Sequence, residues 1–81
     1  MTREELLQRI SIDPNVCFGK ASIRGTRIWV ALIIEHLASG RSEKEILEDH
    51  RDLDPRDIKA ALAYAAEITR ERILPTTIGA R

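Results

Sequence analysis

A single cysteine, Cys17, stands in this 81-residue chain, which excludes an internal disulfide framework and any multi-cysteine zinc site. Aromatic residues are nearly absent, with one Phe, one Trp and one Tyr. No apolar run approaches the roughly 20 residues that a membrane-spanning helix needs, and Met1-Thr2-Arg3-Glu4-Glu5 does not open a secretory signal. Net charge is also missing: 13 Lys and Arg balance 13 Asp and Glu. That balance excludes a simple polycation that coats nucleic acid, because such affinity comes mainly from neutralised phosphates. The expectation is a soluble, cytoplasmic protein without membrane contact, folded as one domain over residues 1–81. A chain of this length buries roughly two-thirds of its surface on folding, enough for a modest core.

Small and aliphatic residues take the place of the aromatics. Eleven Ile, nine Ala and eight Leu dominate the apolar set, a mixture suited to close-packed helices. The charges are unevenly spread. Residues 1–41 hold six bases and four acids, residues 42–81 seven bases and nine acids, and Glu43–Asp57 alone holds seven acids against three bases.

Thr2-Arg3-Glu4-Glu5 has capping-box spacing and predicts a short helix over Glu4–Arg9. Ile10-Ser11-Ile12 alternates as a strand does, Asp13-Pro14-Asn15 supplies turn chemistry, and Gly19 and Gly25 punctuate two further alternating stretches. Residues 10–29 therefore read as a β-hairpin or a pair of short strands. From Val30 the period becomes helical through Ile33, Ile34, Leu37 and Ala38, with Gly40 as the stop. Ser42-Glu43-Lys44-Glu45 is a second capping box, opening a helix that buries Ile46 and Leu47. Asp54-Pro55-Arg56-Asp57 starts a third helix, whose apolar stripe Ile58, Ala61, Leu62, Ala65 and Ile68 carries it to about Arg72. The predicted fold is mainly α, a three-helix helix-turn-helix core of homeodomain-like or winged type spanning residues 30–72. A short β-hairpin and a short N-terminal helix precede it, and residues 73–81 form a tail.

If that core binds DNA, its last helix is the reader. At 100° per residue Arg56, Lys59, Ala60 and Ala63 fall on one outward face, the alanines small enough for close approach to a groove floor. Lys20, Arg24, Thr26 and Arg27, around Gly25, form a wing-like turn able to hold phosphates. The helix before the reader is acidic, however, and Glu45, Glu48 and Asp49 suit a basic protein partner better than a phosphate backbone. A plain three-helix scaffold explains the same pattern equally well. Phe18-Gly19-Lys20-Ala21-Ser22 fails as a phosphate loop, because Pro14 occupies the first glycine position and Ser does not directly follow Lys20. Cys17 reads as a buried structural residue and His36 as a boundary residue, so no catalysis, metal or cofactor is expected.

Ile12-Asp13-Pro14-Asn15-Val16-Cys17-Phe18-Gly19-Lys20, followed by Ile23-Arg24-Gly25-Thr26-Arg27-Ile28, resembles the opening signature of the prokaryotic domain-of-unknown-function family numbered 433. Gly40, Ser42–Asp49, Leu53, Asp57-Ile58 and Ala60–Ala65 continue the resemblance, which covers about residues 10–68. It implies a helix-turn-helix domain behind a β-hairpin and a protein similar to antitoxins of the VapB kind. Such a protein binds and silences a PIN-like ribonuclease toxin and represses its own operator DNA; a palindromic operator would in turn require a homodimer. Two prolines usual in the family are replaced here by Ala21 and Trp29. Trp29 is a candidate contact anchor, the alternative being a plug between hairpin and helices. Ile73, Leu74 and Ile78, beyond the last helix, complete the candidate partner surface. The competing expectation is a protein-binding module that uses the helical core only as a scaffold.

Overall fold

A computed structural model provides the fold, and the residues it describes are 1–70. The expected tail 73–81, with Ile73, Leu74 and Ile78, lies outside them. In chain order the elements are α1 (Arg3–Leu7), β1 (Ile10–Ser11), a single 3-10 turn (Cys17–Gly19), β2 (Ser22–Ile23), α2 (Val30–Ala38), α3 (Glu43–Asp49) and α4 (Pro55–Arg70).

Local chemistry sets most helix ends. Thr2 and Ser42 each cap a helix, accepting from Glu5 N and Glu45 N at 3.1 Å, while those glutamates return a carboxylate oxygen to the cap N–H at 2.8 Å. Both boxes read from the sequence are therefore formed, and each satisfies two N–H groups that would otherwise lack partners. Gly40 ends α2 as expected, with φ +96°, Gly40 N–H donating to Leu37 O and Arg41 N–H to His36 O. That bond pair is the Schellman arrangement, which only a residue at ease with positive φ completes without strain. At the start of α4, Asp54 Oδ1 accepts from Arg56 N at 2.7 Å and Asp57 Oδ2 from Asp54 N at 2.9 Å.

The two strands pair antiparallel, Ile10 opposite Ile23 and Ser11 opposite Ser22. The turn that directly joins them is not the one at Gly25: the ten residues 12–21 make the connection, and the Gly25 turn instead folds β2 back, so that Ile23 N–H donates to Ile28 O. The core is Ile10, Ile23, Val30, Ile33, Ile46, Leu53 and Ile58, with Ala60 and Ala61 beneath it. At roughly 1.5–3 kcal/mol per buried Ile side chain, this aliphatic set drives folding without large aromatics.

The stripe on α4 departs from expectation. Ala60 is 0 % and Ala63 8 % exposed, whereas Leu62 is 45 % exposed. The cause is α1, which packs along α4. Arg3 donates to Ala63 O at 3.0 Å and pairs with Glu67 at 3.6 Å, and Leu6 packs against the core. A helix flanked on two sides needs small residues on the second side, and the period of a single helix does not reveal that second neighbour. Arg9 closes this arrangement, donating to Asp57 Oδ1 at 2.8 Å beside Asp54. The bond to Asp57 raises the pKa of the Arg9 guanidinium above its ordinary value.

Candidate functional site

The residues singled out from the sequence fall into three structural groups. The first is the proposed reading face of α4. Arg56 and Lys59 are exposed, but Ala60 and Ala63 are buried rather than on the outward surface, Ala60 in the core and Ala63 where Arg3 of α1 reaches its carbonyl. Arg56 folds over its own cap, with Nη2 donating to Asp54 Oδ2 at 3.1 Å. That hydrogen bond holds the Asp54 carboxyl below the usual aspartate range.

The second group is the turn around Gly25, and two of its members have structural work. Arg24 Nε donates to Gln8 O at 2.8 Å and Nη2 to Ile10 O at 2.9 Å, so its guanidinium ties the turn to the end of α1 instead of standing free for phosphate. Thr26 Oγ1 donates to Ile23 O at 2.8 Å and accepts from Ile28 N at 3.0 Å, which closes the turn. Arg27 is exposed and takes part in no ion pair among the described residues.

The third group is acidic α3. Glu45 serves its capping box, and the hydrogen bonds from Ser42 hold its carboxyl below the ordinary glutamate value. Asp49 pairs with Arg41. Glu48 is exposed.

What the fold brings together is a surface on one side of the hairpin. A cleft of about 350 Å³ is lined by Pro14, Asn15, Cys17, Phe18, Arg27 and Trp29. Trp29 is 36 % exposed, and Lys20 Nζ stands 5.2 Å from its ring centroid, a cation–π contact. Cys17 is buried as expected, its Sγ–H directed at Arg27 O. Arg27 also borders a larger groove of about 690 Å³, where Thr26 faces His50, Arg51 and the acids Asp49 and Asp52 at the end of α3. Lys20, Arg27 and Trp29 thus share one surface, whereas Arg56 and Lys59 line neither cavity.

Phe18 escaped the sequence reading. The residue is 91 % exposed and has φ +58°. A bulky apolar residue between turn chemistry (Asp13-Pro14-Asn15) and Gly19 was the available signal, but sequence alone does not tell an outward ring from an inward one.

No helix among the described residues is long and apolar enough to cross a membrane. No curated protein matches the chain. A crystal structure at 2.00 Å of a DUF433 member protein from Anabaena variabilis is similar, with a TM-score of 0.70 and 37% identity over 84% of this chain and 66% of that one. The chain thus spans just under two thirds of the length of that relative. The model of the family described as "Protein of unknown function (DUF433)" matches residues 10–65, from β1 into α4. This chain belongs to the DUF433 family.

Proposed function

We propose that this protein is a partner-binding module of the antitoxin kind, which docks on and silences a toxin related to the PIN-domain ribonucleases. The observation that carries the docking part of the reading is that Phe18, on a hydrogen-bonded loop, and Trp29, at the start of α2, are both exposed and line one cleft, since large apolar groups grouped in solvent mark interaction sites. The small buried face of α4 supports it from the other side. With Ala60 and Ala63 buried inside the fold, α4 serves as a scaffold element in this reading rather than as a helix laid into a groove.

Operator binding is the second reading, and the exposure of Arg56 and Lys59 in the first turns of α4 favours it. In that version a homodimer would set two copies of α4 on a palindromic site.

Co-expression with the product of the neighbouring gene tests the first reading. A ribonuclease-like neighbour should co-purify with this chain and lose activity in the complex; an unrelated neighbour, or one that stays free, defeats it. A gel shift on upstream DNA tests the second. Binding that weakens in Arg56→Ala and at higher salt supports repression, and absence of a shift with and without the partner ends that reading.

A further inference from the structure

We infer that the Phe18–Trp29 cleft is the docking site for an acidic protein segment that inserts one bulky apolar side chain. The inference rests on the protein-docking reading above and adds the chemistry of the segment.

The loop that carries Phe18 is built, not loose. Cys17, Phe18 and Gly19 have φ of +53°, +58° and +80° in succession, and residues with a Cβ enter that region only at an energetic cost. Hydrogen bonds hold them there. Asp13 O accepts from Val16 N at 2.8 Å, Val16 O from Gly19 N at 3.1 Å and Cys17 O from Lys20 N at 3.0 Å, while the Asp13 carboxylate takes Asn15 N–H at 2.9 Å. The fold therefore sustains strain at a position where the side chain gains almost nothing from burial, Phe18 being 91 % exposed. Strain of this kind points to a contact made outside the chain.

The walls of the cleft state what fits. Pro14, Asn15 and Cys17 join the rings of Phe18 and Trp29 in a mainly apolar recess of about 350 Å³, a volume able to take one large side chain. Among the described residues Arg27 is the only charged one lining it, and Lys20 sits over the Trp29 ring at its edge. The single acid of the loop, Asp13, is engaged with Asn15 N–H. An incoming segment therefore meets an apolar anchor site flanked by cations, the complement of an apolar residue between carboxylates. A nucleic acid strand fits less well. Past Arg27 the surface continues into a groove where Arg51 and His50 alternate with Asp49 and Asp52, so successive phosphates would meet charges of both signs. A peptide needs no unbroken cationic track.

The test is selection of short random peptides on the purified protein, with the emission of Trp29, the only tryptophan, as the solution readout. Enriched sequences should place Leu, Met, Phe or Trp next to Asp or Glu, and their binding should shift that emission. Phe18→Ser, and separately Lys20→Glu with Arg27→Glu, should weaken binding by about tenfold or more, the scale expected of an anchor. Unchanged thermal melts will show that these exposed positions do not act through folding, and Phe18→Asn provides a second variant that the backbone tolerates. Four outcomes overturn the inference: no enrichment, enrichment of basic peptides, displacement of the peptides by oligo-dT, or dimerisation that Phe18→Ser abolishes. If the neighbouring gene product co-purifies equally well with Phe18→Ser, the docking site is wrong while the antitoxin reading stands. If acidic peptides bind but no neighbour does, the reverse holds.

Discussion

At the residue scale, Phe18 and Gly40 both occupy the left-handed backbone region, yet only one of them suits it. Gly40, at φ +96°, ends α2 where a glycine belongs, and its role was legible because the helical period stopped beside it. Phe18, at φ +58°, bears a Cβ that crowds the backbone, and nothing in the periodicity announced it. Replacing it by Asn, which tolerates this region and exposes no ring, should raise stability by about 0.5–1 kcal/mol in urea unfolding. A stability gain joined to weaker peptide binding is the signature of a position kept for contact. A loss of stability would mean that the ring packs after all. Arg24 teaches the opposite lesson. Its place beside Gly25 suggested a free cation, but carbonyl oxygens of Gln8 and Ile10 claim it, and those oxygens come from a segment that the sequence does not put next to the turn.

At the element scale, the helix starts are the most legible part of the chain because their chemistry is local. Thr2 with Glu5 and Ser42 with Glu45 lie three residues apart, and Asp54 caps the helix that Pro55 opens. These caps have a consequence for pH. Hydrogen bonds from Thr2 and Ser42 hold Glu5 and Glu45 below the ordinary glutamate value of 4.5, and the bond from Arg56 holds Asp54 below 3.8. A carboxyl depressed in the folded state contributes stability that is fully present above its unfolded value and lost as pH falls through its folded value. Thermal midpoints should therefore stay level from neutrality down to about 4.5 and fall below it. The triple variant Glu5→Gln, Glu45→Gln and Asp54→Asn should start lower at neutral pH and show a shallower acid limb. An acid limb as steep as that of the parent would place the loss elsewhere. The same local logic fails for the strands, where the joining segment is the ten-residue stretch 12–21 and the Gly25 turn belongs to a later fold-back. Alternation shows that residues can pair but not which segment they choose.

At the scale of the whole molecule, α1 decides how α4 is used. Ala60 and Ala63 were expected to face outward, as the small residues of a reading helix; the N-terminal helix takes that face, with Arg3 reaching Ala63 O and Arg9 reaching Asp57. Ala60→Leu should therefore lower stability by about 1–3 kcal/mol, since extra volume at a fully buried site forces the two helices apart. Leu62→Ala, at an exposed position of the same helix, should cost far less. Equal effects in denaturant titrations would show that α1 does not cover α4 in solution.

The sequence by itself determined the helix starts, the short N-terminal cap, the end of α2 and most of the aliphatic core, because capping, glycine conformation and hydrophobic period act over a few neighbouring residues. Only the tertiary structure decided which face of α4 is covered, which cations stay available and which ring stands in solvent. Those outcomes depend on contacts between segments as far apart as Arg3 and Ala63, or Arg9 and Asp57, whose meeting no local pattern encodes. The scarcity of aromatics takes its meaning from this division. Two of the three, Phe18 and Trp29, border one cleft at the surface, while an aliphatic core holds the chain together without them.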